Sequence, residues 1–218
     1  MPMTATERQR KWRAKVRREK IWGPNQDRAA RRPAPRRQDM DLWPTPADLR
    51  AALIMKVLPV LPSDLTIWEC AVGDGALVDA LRAAGRDVIA SDVVRQRDGF
   101  LQLDFLTDRP PAGSRGSLLI TNPPFAGSGL GDQFLDRTMV LLDSGHLAGA
   151  VFLQRADAGG TDGHAAIFNR AVAEFTCCWR PVWIPGTPGG GRWWFSWLVW
   201  LATRGGPPVN TRIRRRDL

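Results

Sequence analysis

The sequence has few of the residues that build disulfide frameworks or metal sites. Its 218 residues include three cysteines and two histidines. Cys70 stands alone, and the adjacent Cys177 and Cys178 would point to opposite faces of a strand, so they cannot act as a metal pair there. His146 and His164 have no partner pattern around them. The sequence therefore predicts no metal site and no disulfide, which is typical of a reducing, cytoplasmic compartment.

Long apolar runs and the common nucleotide signatures are also missing. No apolar stretch reaches the roughly 18 residues that a membrane-spanning helix needs. The basic N-terminus has no apolar core behind it, as a secretory signal would. Neither a G-x-G-x-x-G fingerprint nor a G-x-x-x-x-G-K-[ST] loop occurs. We therefore expect no membrane partner, no nicotinamide enzyme and no P-loop triphosphate site.

Positive charge is concentrated at one end of the chain, whose net charge is +9. Residues 1–38, here called the basic arm, hold 13 Lys or Arg and three acidic residues, which leaves 18 basic and 19 acidic residues in 39–218. Residues 4–23 have a capping-box spacing and no proline, which predicts a helix, and the Pro- and Arg-rich 24–38 is typical of a linker. The arm is either a solubilising tail or a segment that neutralises nucleic-acid phosphates, and we favour the second.

Apolar and amphipathic segments alternate from residue 39 onward. Strands alternating with helices predict an α/β fold with a Rossmann-like, mostly parallel sheet, and two aromatic-rich strands near the end predict an antiparallel hairpin at the sheet edge. We expect a catalytic domain over 39–205 and a basic tail over 206–218. The predicted helices are 47–61, 75–85, 130–142 and 164–175, and the predicted strands are 65–72, 87–92, 100–106, 117–122, 147–154, 176–184 and 192–203.

Chemically useful residues follow the first four predicted strands. Because ligands bind beyond the carboxyl ends of the strands in open α/β sheets, these residues should meet at one edge. The first strand is followed by "ECAVGDGAL" (69–77), with glycines that allow a tight turn before a helix. Asp92 ends the second strand, where a carboxylate can bind ribose hydroxyls. Asp104-Phe105 follows the third strand, and Asn122-Pro123-Pro124-Phe125 follows the fourth.

These ordered motifs resemble those of S-adenosylmethionine-dependent amino-methyltransferases. The combination of "ECAVGDGAL", "SD" at 91–92, "DFL" at 104–106 and "NPPF" at 122–125 is most similar to DNA adenine-N6 methyltransferases, including small phage-borne ones. "WPTP" at 43–46 and "WLVW" at 197–200 extend the resemblance, which covers roughly residues 41–203.

The resemblance implies a role for each matching position. Asp92 would hold the ribose of the cofactor S-adenosylmethionine, and Asp104 and Phe105 would bind its adenine. The remaining implied cofactor contacts, around the methionine end, are Thr45, Pro46, Glu69, Ala71, Gly73, Asp74 and Asn122.

The resemblance also implies how the corner at 122–125 would act on a target amine. Asn122 would accept one hydrogen bond from the amine and the Pro123 carbonyl a second, while Pro124 stiffens the corner and Phe125 stacks on the flipped base. An aromatic amine is a poor nucleophile, and two rigid acceptors would direct its lone pair at the methyl group. Further implied contacts to the target base or DNA are Trp194, Phe195, Arg192, Arg13 and Arg17.

Several alternatives remain open at the level of sequence. RNA methylases carry similar corners, so RNA adenine is the main alternative to DNA. A nucleic-acid-binding protein with a vestigial methylase core is another. Cytosine-N4 and protein glutamine methylation fit less well, because the first more often uses Ser at the corner and the second needs no basic arm. With no evident segment for reading bases, sequence specificity should be short or relaxed. The sequence does not indicate whether the chain is a monomer or a dimer.

Overall fold

The computed structural model describes residues 43–124, 129–158, 162–183, 193–203 and 209–218. The predictions for the basic arm, Phe125 and Arg192 therefore lie outside the described residues.

Four α-helices and eight β-strands make up the described part of the chain. The helices are α1 (Ala47–Ala52), α2 (Ala76–Ala83), α3 (Leu130–Asp143) and α4 (Asp162–Phe168). After α1 the chain continues through a π-helical turn, Leu53–Val57, and a 3-10 turn, Leu58–Val60, and a second 3-10 turn spans Arg215–Asp217. The strands are β1 (Ile67–Glu69), β2 (Val88–Asp92), β3 (Leu101–Gln102), β4 (Ser117–Thr121), β5 (Leu147–Arg155), β6 (Ala173–Cys177), β7 (Phe195–Leu201) and β8 (Val209–Ile213).

The strands form one sheet in the order β3-β2-β1-β4-β5-β7-β6-β8. Strands β1 to β5 pair in parallel, and β7 runs antiparallel to both β5 and β6. The predicted Rossmann-like sheet with an antiparallel C-terminal hairpin is confirmed. Because the strand order reverses direction between β1 and β4, the carboxyl ends of these two strands border a crevice where ligands bind in such sheets.

Both faces of the sheet are covered, which explains the continuous apolar runs in β4 and β5. Alternate strand residues point to opposite faces. Leu118 and Ile120 pack on the face that carries α1 and α2, whereas Leu119 packs on the face that carries α3. The sheet therefore holds the ends of β1, β2 and β4 in fixed positions.

The predicted helix over 164–175 is wrong in its second half. Helix α4 ends at Phe168, and Ala173–Cys177 form strand β6. This strand is paired on both sides, by β7 and by β8. The apolar residues of this segment are compatible with a helix or a strand, and pairing with β7 and β8 makes it a strand.

The predicted basic tail over 206–218 is also wrong in part, because Val209–Ile213 form β8. Strand β8 pairs in parallel with β6 and takes the edge position that we predicted for the hairpin. Ile213 is buried in the core, and Arg215 makes an ion pair of 2.7 Å with Asp48 on α1.

Candidate active site

A cavity of about 310 Å³ opens at the carboxyl ends of β1, β2 and β4. This volume is at the lower end of the range typical of small-molecule sites. Ten of the residues predicted from the sequence line it, namely Thr45, Glu69, Ala71, Gly73, Asp74, Asp92, Asp104, Phe105, Asn122 and Pro124. The four strand-end motifs do meet at one edge of the sheet.

The glycine turn after β1 contributes residues to the lining of the cavity. Gly73 and Gly75 have φ angles of 52° and 87°, a region that side chains with a Cβ rarely adopt. The Gly73 N–H donates to Asp92 Oδ2 at 2.9 Å, and the Val94 N–H donates to Asp92 Oδ1 at 3.2 Å. Burial raises the pKa of Asp92 above its usual value, and these N–H groups oppose that shift. Asp92 therefore fixes the turn while its remaining lone pairs can accept from a ligand hydroxyl.

Glu69 is a buried carboxyl group at the end of β1. Its Oε1 accepts hydrogen bonds from the Ala71 N–H at 3.0 Å and from Thr121 Oγ1 at 2.6 Å. Its Oε2 is buried and has no hydrogen-bond partner among the described residues. Burial is the main reason that the pKa of Glu69 rises to about 8. With Oε1 accepting both hydrogen bonds, Oε2 is the oxygen that carries the proton of the neutral carboxyl group, and a cationic group that enters the cavity would favour loss of that proton.

The loop after β3 presents one carboxylate and one ring. Asp104 Oδ1 accepts from the Leu106 N–H at 2.9 Å, and Asp108 Oδ2 accepts from the Asp104 N–H at 2.9 Å. Phe105 is 2% exposed and lies between Trp68 and Phe134, with ring centroids 5.4 and 4.9 Å away. The loop thus offers a flat apolar wall beside a carboxylate, a combination that suits a purine.

Asn122 follows the last residue of β4 and lines the cavity. Its Nδ2 donates to the Trp43 carbonyl at 3.4 Å. Its Oδ1 is buried and has no hydrogen-bond partner in the described part of the chain. Since Pro44 follows Trp43, the backbone at Trp43 is biased toward extended geometry, which fixes the direction of that carbonyl. The amide is therefore oriented with its acceptor oxygen available.

Some predicted site residues lie outside the cavity lining. Pro46 precedes the first residue of α1, and Pro123 is buried. Phe195 is 5% exposed and packs in the core, 5.0 Å from Trp183, so its position does not support the predicted contact with a base. Trp194 is 55% exposed and lies beside the end of β5, where the Ala156 N–H donates to its carbonyl at 3.0 Å.

Several lining residues were missed by sequence reasoning, including Trp43, Leu130 and Phe134. Leu130 and Phe134 are four residues apart on α3, so they share one helix face, and this spacing was a usable signal. Thr121, which anchors Glu69, is a polar residue at the end of an apolar strand and could have been noticed for that reason. The contact between the Trp43 carbonyl and Asn122 left no signal, because it joins residues 79 positions apart.

The residues that the structure describes were searched for metal sites and for membrane-spanning helices, and neither was found among them. They contain no group of three or more His, Cys, Asp or Glu that could hold a metal ion. No helix among them is long and apolar enough to cross a membrane.

Known structures match this arrangement of strands and helices, whereas no family model and no curated protein sequence matches the chain. One match is a protein of Listeria monocytogenes described as a class I S-adenosylmethionine-dependent methyltransferase, with a TM-score of 0.51 and 15% identity over 81% of this chain. Another is the methyltransferase subunit of a type I restriction-modification system from Streptococcus thermophilus, with a TM-score of 0.51 and 13% identity over 78% of this chain.

The chain has a class I methyltransferase fold. A third match, the human methyltransferase 10 domain containing protein, has a TM-score of 0.50 and 17% identity, and the match covers 77% of this chain and 92% of that one. For the Listeria and Streptococcus proteins the match covers 66% and 47% of their lengths, so this chain corresponds to only part of each. Within the class I methyltransferase fold, the cavity lies at the carboxyl edge that binds ligands in open α/β sheets.

Proposed function

We propose that the chain transfers a methyl group from S-adenosylmethionine to the N6 amine of adenine in DNA by direct displacement, which would release S-adenosylhomocysteine and one proton. The observation that carries the proposal is Asn122, a residue of the cavity lining whose buried Oδ1 has no partner in the described chain and whose amide nitrogen donates to the Trp43 carbonyl. The proposal rests on this corner, on the cavity beside it and on the charge of the basic arm.

The residues of the cavity fit the parts of S-adenosylmethionine, which supplies an electrophilic methyl group when it is bound. Asp104 and the ring of Phe105 would hold its adenine, and Asp92 would accept from its ribose hydroxyls. The buried Oε2 of Glu69, which lacks a partner among the described residues, would face its positively charged methionine end. Thr45, Ala71 and Gly73 would border that end. An acidic cavity with one aromatic wall suits a cationic nucleoside.

Asn122 Oδ1 and the Pro123 carbonyl would act on the target base. Both accept hydrogen bonds from an exocyclic amine, and together they draw electron density away from the N–H bonds and toward the nitrogen lone pair. The two prolines keep the acceptors in place, so little reorganisation is needed during the reaction. Asn122 is thus the proposed catalytic residue, with Pro123 as its backbone partner.

A base in a duplex cannot reach this corner, so the target nucleotide must be flipped out of the stack. Phe125 is the proposed stacking partner for the flipped base. Arg13 and Arg17 in the basic arm, and Arg192 before β7, are the proposed phosphate contacts. The charge of +9 on the whole chain favours a polyanionic substrate over a protein or a small molecule.

Replacing Asn122 by Ala tests the proposal directly. The purified chain is incubated with tritiated S-adenosylmethionine and duplex DNA, single-stranded DNA or total RNA, and the labelled nucleosides are identified. The wild-type chain should label N6-methyldeoxyadenosine. Asn122→Ala should lower turnover by about 100- to 1000-fold, the typical effect of removing one oriented electrostatic partner, and cofactor affinity should stay within a few-fold.

The matched control is Asn169→Ala, which removes an exposed Asn after α4 and should leave turnover unchanged. Undiminished turnover in Asn122→Ala would contradict the role of the corner. Label found only in RNA would replace DNA by RNA as the substrate, and cofactor binding without label in any nucleic acid would contradict methylation of nucleic acid altogether.

A further inference from the structure

Two exposed tryptophans lie at the same edge of the sheet as the proposed corner and are not part of the cavity lining. Trp193 is 40% exposed and Trp194 is 55% exposed, although indole rings are among the most costly side chains to leave in water. They immediately precede β7, whose first residue, Phe195, pairs with Arg155 at the carboxyl end of β5. Exposed adjacent indoles at a ligand-binding edge are typical of an interaction surface.

Each of these indoles has a guanidinium group over it. The Arg155 guanidinium carbon lies 3.7 Å from the centroid of Trp193, and the Arg180 guanidinium carbon lies 5.8 Å from the centroid of Trp194. Arg155 is fixed in turn by a two-point ion pair with Asp157, at 2.6 and 2.9 Å. This ion pair holds the pKa of Asp157 below its usual value. The rings are therefore held in place before any partner arrives, which lowers the entropic cost of binding.

The position of this surface relative to Asn122 follows from the sheet register. Thr121 at the end of β4 is aligned with Phe152 on β5. Asn122 is one residue beyond Thr121, and Arg155 is three residues beyond Phe152. With strands about 4.8 Å apart and a rise of about 3.3 Å per residue, the two backbones are about 8 Å apart. Trp194 is one strand further across the sheet and one residue further along than Arg155, about 14 Å from Asn122, so a nucleotide one or two positions away from a base held at Asn122 would reach it.

We propose that Trp193 and Trp194, with Arg155 and Arg180, bind an unpaired nucleic-acid strand beside the target adenine. Indole rings stack on any base whose face is exposed, but bases inside a duplex already stack on each other. Arg180 adds a positive charge for the backbone phosphates, whereas the charge of Arg155 is balanced by Asp157. The inference rests on the proposed function and goes further, because it makes unpaired or locally opened DNA the preferred substrate.

Binding measurements that do not depend on catalysis test the inference. Fluorescence anisotropy with the full chain compares an unpaired oligodeoxynucleotide of about 12 nucleotides with the duplex of the same sequence. Trp194→Ala should weaken binding of the unpaired strand by about tenfold and binding of the duplex by less than about twofold, as expected for one lost stacking contact. Trp194→Phe should recover most of the loss, because it keeps an aromatic face. Trp193→Ala should behave like Trp194→Ala.

Matched controls separate stacking from general effects. Val60→Ala removes an apolar side chain that is 63% exposed in the 3-10 turn before β1, and it should not change either affinity. Arg180→Gln should weaken binding more than Arg115→Gln, since Arg115 precedes the amino end of β4 and lies far from the proposed strand. Equal losses for unpaired strand and duplex, or no loss in Trp194→Ala, would overturn the inference. So would a change from dimer to monomer with unchanged DNA affinity, because the tryptophans would then bind a second copy.

The two proposals can fail separately. The wild-type chain could methylate adenine while the tryptophan variants bind and methylate like wild type. Strand binding by the tryptophans would then be wrong, and the proposed reaction would still be supported. If instead the tryptophan variants lose affinity for the unpaired strand but wild type transfers no methyl group to it, strand binding by the tryptophans is supported and the proposed reaction is wrong.

Discussion

Glu69 and Asn122 are the residues in the cavity lining whose buried acceptor oxygens have no partner in the described chain. A buried polar atom without a hydrogen bond costs about 1–3 kcal/mol. Folding alone gives no reason to bear that cost twice at one sheet edge. The arrangement is what a site prepared for a polar, cationic ligand requires.

The buried carboxyl group of Glu69 predicts a pH dependence of stability. Its pKa is about 8 in the folded chain and 4.5 as an ordinary Glu, so the unfolded chain gives up this proton at lower pH. The contribution of protonated Glu69 to the free energy of unfolding is complete below pH 4.5 and is lost as the pH rises through about 8. Glu69→Gln, which stays neutral, should match wild type near pH 5 and be more stable by up to about 5 kcal/mol at pH 9.

Thermal unfolding followed from pH 5 to pH 9 measures this difference. The matched control is Gln133→Ala on α3, which replaces an exposed side chain that has no ionisable group, so its melting temperature should differ from that of wild type by the same amount at every pH. If the melting temperatures of Glu69→Gln and wild type changed in parallel with pH, Glu69 would not be held in its neutral form.

The turn between β1 and α2 depends on glycine for two different reasons. Gly75 precedes the first residue of α2 with φ of 87°, and a Cβ there would lie 2.8 Å from Phe100 Cζ and 2.9 Å from Arg97 Cζ. Gly85, just after the same helix, has φ of 78° but nothing within 4 Å of a Cβ. An alanine would strain the backbone at either position, but it would clash with neighbouring side chains only at position 75.

Replacing each glycine by Ala separates strain from clash. Gly85→Ala should cost about 1–2 kcal/mol of unfolding free energy from the left-handed backbone alone. Gly75→Ala should cost at least about 1 kcal/mol more, because the clash with a buried ring adds to the strain. It should also weaken cofactor binding, since relief of the clash would shift the turn that the Gly75 N–H closes by donating to the Val72 carbonyl at 2.8 Å, and residues of this turn line the cavity.

Urea unfolding and cofactor titration of the two variants provide the comparison. If Gly75→Ala and Gly85→Ala lost the same stability and both kept full cofactor affinity, the close packing of this turn would have no functional consequence.

Charge divides the whole molecule into a nearly neutral body and the basic arm, residues 1–38. Trp43, five residues beyond the end of the arm in the sequence, lines the cavity. A segment with 13 basic residues at this point can neutralise phosphates of a strand that enters the cavity. Its role remains a prediction.

Salt dependence of DNA binding tests the arm. Removing residues 1–38 should weaken binding and flatten the plot of log affinity against log salt, since each lost phosphate contact removes about 0.9 from the slope on duplex DNA. The double variant Arg13→Gln, Arg17→Gln should lower the slope by about 2. Cofactor affinity should not change, because the body of the fold is untouched. An unchanged slope in the truncated chain would mean that the arm does not contact phosphates.

Much of the fold followed from the sequence because its signals are local. Apolar runs in β4 and β5, glycine after β1 and amphipathic spacing in α3 each identify their own element. The register of a parallel sheet then brings the strand ends together, so Glu69, Asp92 and Asn122 line one cavity, and their roles there stay predictions. Long-range pairing was harder, and the first three residues of the strand Ala173–Cys177 were therefore predicted as part of a helix.

The sequence by itself determined the order of the motifs, the α/β class and the residue types at the cavity, because these depend on local periodicity and turn chemistry. Only the tertiary structure decided which polar atoms are left without partners, that Phe195 lies in the core while Trp194 is exposed, and that Val209–Ile213 complete the sheet. Burial and strand pairing depend on residues far apart in the chain. No local pattern specifies them.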